Sequence, residues 1–172
     1  MDATIIRDAD IASAVRRAVT DAGGFSLPKT DATVLVKPNC NVGMPPPAST
    51  NPIVVRETIR LLKESGAGRI IVGDRSWVRF FIPRQKNTIA NMKKNGILEV
   101  AQDEGAEAIG FEEDGWFRVK PDKAEHWRGS IRLTKVLKAV DYHVTLPVLK
   151  THSITDFTLS LKNAVGLLHT SD

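Results

Sequence analysis

The chain has 172 residues, 24 Lys and Arg against 20 Asp and Glu, and 42% hydrophobic residues, a composition of ordinary soluble globular domains that argues against disorder. The formal charge of +4 is spread along the chain with no basic tail, so nucleic-acid binding is not expected from charge. The single cysteine, Cys40, excludes an internal disulfide, a Cys-rich zinc site and a self-ligated iron–sulfur cluster, and it fits a reducing compartment.

No stretch is apolar for the ~20 residues a membrane span requires, and the N-terminus lacks a basic segment followed by an apolar run. Cytoplasmic residence without a membrane partner is therefore expected. Ile11, Val15, Ala18, Val19 and Ala22 recur at helical spacing behind Asp8 and Asp10, with Gly23-Gly24 as a stop signal. Val34-Leu35-Val36 predicts a buried strand that ends at Lys37-Pro38-Asn39 and runs into a polar loop containing Pro45-Pro46-Pro47. Asn51-Pro52 predicts the cap and first position of a helix closed by Gly66, and Arg69 to Val72 predicts a second strand stopping at Gly73-Asp74. Strand, helix and strand make a βαβ unit with parallel strands, which places Lys37, Asn39 and Asp74 at the carboxyl edge of the sheet, where open α/β sheets bind ligands.

Helices are expected over 88–95 and 97–104, a strand over 106–111, and a turn at Glu112-Glu113-Asp114-Gly115. Trp116 to Trp127 reads equally as a hairpin or a surface excursion. Strands at 131–133 and 142–146 flank a short helix at 135–139, and Thr155 to Leu161 reads as a helix. The expected whole is a single α/β domain over 1–172, a mostly parallel sheet with helices on both faces and an excursion at 112–130.

No glycine-rich dinucleotide fingerprint, phosphate loop, zinc helix or serine-nucleophile elbow occurs. Instead, Lys37, Asn39, Asp74, Lys150, Thr151, His152, Lys162 and Asn163 all fall at strand ends or beyond turns, where separate segments converge. Unneutralised lysines with amide and hydroxyl donors suit a carboxylate or phosphate. Lys37, Lys150 and Lys162 would hold the anion and Asn39, Thr151 and Asn163 would orient it. Asp74 and His152 would form the proton-transfer pair. Taken singly, lysines are commonly solvated surface groups and Asn, Asp and His commonly serve as turn or cap residues. His126, His143 and His169 show no metal-ligand spacing, and Cys40 reads as packing rather than a reactive thiol.

Five motifs in order, Val34 to Asn39, Asn51-Pro52, Glu64 to Ala67 with Ile71 to Asp74, Leu146 to His152, and Ser160 to Gly166, resemble the Domain of Unknown Function 362 family. The family has no established activity. The resemblance implies that some relatives carry an appended ferredoxin-like domain with iron–sulfur clusters, which one cysteine does not supply. Val148 stands where relatives usually carry lysine. Relatives generally continue past the last motif, so the resemblance implies an incomplete or shortened family domain, with a second copy or a partner chain supplying the missing half. An accessory module docking on an iron–sulfur or redox protein is the alternative to a metabolite-binding enzyme, using an apolar surface around Trp77, Phe80 and Phe81. Nucleic-acid binding ranks last, resting on the interleaving of these aromatics with Arg75, Arg79 and Arg84.

Overall fold

The apolar run at 34–36 lies in the interior because both of its faces are covered. In the computed structural model, which describes residues 3–76, 87–122, 129–152 and 156–169, it belongs to β1 (Ala32–Pro38), where Val34, Leu35 and Val36 are fully buried. β1 pairs in parallel with β2 (Ala67–Asp74) on one side and β6 (Tyr142–Leu146) on the other, and β3 (Glu107–Gly110) extends the sheet beyond β2. The order β3-β2-β1-β6 is parallel throughout, so Pro38, Asp74, Gly110 and Leu146 share one carboxyl edge.

The helices begin and end where local chemistry dictates. α1 (Ile11–Asp21) is capped by Asp10, whose carboxylate accepts the Ser13 N–H at 3.1 Å. α2 (Pro52–Glu64) has Asn51 accepting the Ile53 N–H at 2.9 Å and Pro52 at the first position. Gly66 then turns the chain with φ of 90°, a conformation glycine adopts without steric cost. α3 (Thr88–Lys94) and α4 (Ile97–Asp103) follow β2, and their Met92, Ile97, Val100 and Ala101 join α2 against Val34, Val36, Ile70 and Val72.

The alternate residues of the same strands face the other way. Leu35 and Ile71 pack there with Phe111 and Val136. Elements of that layer are short: α5 (Phe111–Asp114), a 3-10 turn at Lys135–Lys138 and a second 3-10 turn at Val165–Leu167. Beside them β4 (Trp116–Val119) and β5 (Ile131–Thr134) pair antiparallel, so the strand expected at 131–133 pairs with the start of the 116–127 stretch. The expected turn at 112–115 is largely the single helical turn α5, closed by Gly115 at φ 90°.

One expected element is corrected. Thr155 to Leu161 is not a continuous helix: β7 (Lys150–His152) pairs antiparallel with β8 (Asp156–Thr158), and α6 starts later (Ser160–Ala164). The physical reason lies in the residues. Asp156 takes φ of 57°, outside the right-handed helical region, and Lys150 to His152 offers a strand with which 156–158 pairs, so the helix starts only at Ser160. Trp77, Phe80, Phe81, Arg79, Arg84 and His126 lie outside the described residues.

Candidate functional site

Parallel pairing brings the polar ends of β1, β2 and β6 side by side, and the β7–β8 hairpin and α6 close over them. Lys37, Asn39, Asp74, Lys150, His152, Lys162 and Asn163 line one pocket at this edge, together with Asn41, Arg75, Thr158, Val165 and Gly166. Seven of the eight expected residues are thus brought together. Thr151 is not, because in the hairpin ladder it sits opposite Phe157 on the outer, exposed face, whereas Lys150, His152 and Thr158 face the pocket.

Lys37 is not the solvated lysine its residue type favours; it is 1% exposed. A lysine buried that deeply requires a counter-charge. Asp74 provides it, with Oδ1 at 2.6 Å from the Lys37 Nζ, and Lys37 also donates to Asn163 Oδ1 at 3.2 Å. The other Asp74 oxygen accepts the Cys40 N–H at 2.7 Å. Both carboxylate oxygens are therefore engaged, and the charge of Lys37 is matched inside the protein. Asn163 completes the cluster by donating to Thr145 Oγ1 at 2.8 Å and to the Lys37 carbonyl at 3.3 Å, tying α6 to the ends of β1 and β6.

The glycine of the last motif is explained by this cluster. A Cβ on Gly166 would stand 2.7 Å from Asp74 Oδ1 and 2.8 Å from Lys37 Nζ, so only glycine lets the backbone rest on the ion pair. Gly166→Ala is expected to destabilise the protein by about 1–3 kcal/mol through overpacking, measured by urea unfolding. An unchanged unfolding midpoint would show that the 160–167 segment moves aside freely.

Three cations remain: Arg75, Lys150 and Lys162. Lys150 Nζ donates to the Ala48 carbonyl, tying the hairpin to the β1–α2 loop. Burial, and then the charge of Lys162, hold the Lys150 ammonium below its ordinary pKa. Burial and the charges of Lys162 and Lys150 hold the His152 imidazole below its ordinary value as well. Arg75 approaches the Val165 carbonyl at 3.5 Å through Nη2 and lies 5.8 Å over the Trp116 ring, and its Nε and Nη1 are buried with no hydrogen-bond partner. Sequence reasoning missed Arg75 as a site residue, grouping it with the aromatics that follow, although it directly succeeds Asp74 at the carboxyl edge.

Cys40 is fully buried and its thiol is pushed up to about 12, mainly by burial, with the Asn95 amide donating to Sγ at 3.2 Å. That is the environment of an inert thiol. His169 packs edge-on against Trp116 at 5.0 Å, and His143 is exposed on β6. Among the described residues no three His, Cys, Asp or Glu side chains gather as a metal site requires. Among those residues, too, no helix is long and apolar enough to cross a membrane.

Fold and site together define an α/β protein with a parallel sheet and a lysine- and arginine-lined pocket at its carboxyl edge. Residues 34–172 match the family described as Domain of unknown function (DUF362), and the chain belongs to that family. No curated protein and no solved structure matches it.

Proposed function

We propose that the carboxyl-edge pocket binds a small anionic metabolite, with His152 placed to exchange a proton with it. The observation that carries this reading is a charge imbalance. Arg75, Lys150 and Lys162 line one pocket, and among the described residues none of them forms a carboxylate salt bridge, while Lys37 is already matched by Asp74. In this reading Lys150, Lys162 and Arg75 hold the anion. Asn39 orients it, and Lys37, Asp74 and Asn163 form the rigid floor rather than the reacting groups. Asp74 is an anchor because its oxygens are occupied, so acid–base work falls to His152. A cytoplasmic setting is part of this reading.

The test is thermal unfolding with a panel of phosphorylated and carboxylate metabolites, since a ligand bound only by the folded state raises the midpoint. At least one anion is expected to raise it in the wild type and to lose most of that effect in Lys150→Met. A bound anion offsets the lysine charges that depress His152, so binding draws a proton onto the imidazole. Affinity for sulfate, whose charge does not change over this range, is then expected to strengthen from pH 8 to pH 6, by at most about tenfold per unit for one proton. Affinity independent of pH would remove His152 from the site.

A second reading, an accessory module that docks on a redox or iron–sulfur protein or on a second copy, is favoured by a different observation. Leu149, just before β7, Phe157 on β8 and Leu161 on α6 are 71%, 65% and 92% exposed. It expects concentration-dependent self-association or complex formation that Phe157→Ser abolishes. Ideal monomer behaviour in sedimentation, with no binding to an added iron–sulfur protein, would count against it.

A further inference from the structure

The pocket also carries information on the charge and shape of its ligand, an inference that rests on the anion-binding reading above. Four cationic side chains and one carboxylate line it, and the carboxylate is committed to Lys37. Three positive charges are left for the ligand, and two of them, on Lys150 and Lys162, stand close enough to oppose each other. A single carboxylate would leave most of that repulsion in place. It also presents only two oxygens, with about four lone-pair sites.

The donors outnumber those sites. Arg75 Nε and Nη1 lack partners, Lys150 retains two N–H groups beyond the one given to Ala48, and Lys162 adds its own ammonium. The Thr158 hydroxyl and the His152 ring line the same pocket. A phosphoryl group brings three acceptor oxygens and a charge of about −1.5 to −2 at neutral pH, so it offsets more of the surplus charge and engages more of the donors than one carboxylate does.

We infer that the pocket takes a doubly charged tetrahedral oxyanion, the phosphoryl group of a phosphorylated metabolite, gripped by Arg75, Lys150 and Lys162. Arg75 is the residue that sets this preference. Its guanidinium is partly buried beside Trp116, so it offers fixed donors where the lysines offer mobile point charges.

The experiment is thermal unfolding of the full chain in titrations of inorganic phosphate, sulfate, malonate and acetate at matched ionic strength, repeated for Arg75→Met and Lys162→Met. Phosphate and sulfate are expected to reach half-maximal shift at concentrations at least about tenfold lower than malonate, and acetate to have no effect. Either variant is expected to weaken phosphate at least about tenfold while its ligand-free midpoint stays near that of the wild type. If Arg75→Met unfolds early, Lys162→Met, on a half-exposed side chain, carries the comparison. Malonate or acetate acting as strongly as phosphate, or phosphate acting on both variants as strongly as on the wild type, overturns the phosphoryl assignment and leaves the broader anion reading standing. Silence from every anion, metabolites included, overturns both.

Discussion

Replacing Lys37 by methionine is expected to lower the free energy of unfolding by about 3–5 kcal/mol, because it leaves the Asp74 carboxylate in the interior without its counter-charge. For a chain of this length that corresponds to a midpoint lower by about 10 °C. Asp74→Asn is expected to cost a comparable amount, since it strands the ammonium of a lysine that is 1% exposed. The double variant Lys37→Met/Asp74→Asn is expected to recover a large part of the loss, because no unpaired charge remains buried. Urea unfolding of all four proteins forms a double-mutant cycle. A Lys37→Met loss below about 1 kcal/mol, the range of an exposed pair, would show that water reaches this ion pair. The cluster also sets the position of α6 through Asn163, so the single variants are expected to weaken anion binding along with stability.

The second large effect is expected at Phe111, fully buried on the short-element face of the sheet. Phe111→Ala removes a large aromatic side chain from a layer built of helical turns too short to collapse into the gap, at a cost of about 3–5 kcal/mol. The reciprocal change is informative. A Cβ on Gly73 would lie 2.5 Å from Phe111 Cε1 and 3.0 Å from Ile109 Cγ1, so Gly73→Ala is expected to overpack the centre of the sheet. Phe111→Leu in the Gly73→Ala background is expected to regain part of that loss. Full additivity of the two substitutions would mean that the ring and the glycine do not compete for the same space.

The βαβ unit was legible because each of its signals is local. Val34-Leu35-Val36 is a run only a strand covered on both faces would carry, Asn51-Pro52 is a helix start, and Gly66 is a helix stop. Since parallel strands share one carboxyl edge, the convergence of Lys37, Asn39 and Asp74 followed from chain direction alone. The β7–β8 hairpin was less legible. Phe157 and Leu161 are four apart, as on one face of a helix, and 156–158 is a strand because Lys150 to His152 is there to pair with it.

The sequence by itself determined the elements of the sheet, the edge at which polar side chains collect, and the family, because these depend on residue type, short-range spacing and order along the chain. Only the tertiary structure decided which charges at that edge are spent and which are available. Lys37 and Asp74 are 37 residues apart in sequence, and their 2.6 Å contact exists because strand register sets Lys37 beside the end of β2 and Gly166 lets the returning chain cover them. That pairing leaves Arg75, Lys150 and Lys162 to face the pocket. Charge compensation in a buried site depends on distances between residues remote in sequence, and no local pattern encodes those distances.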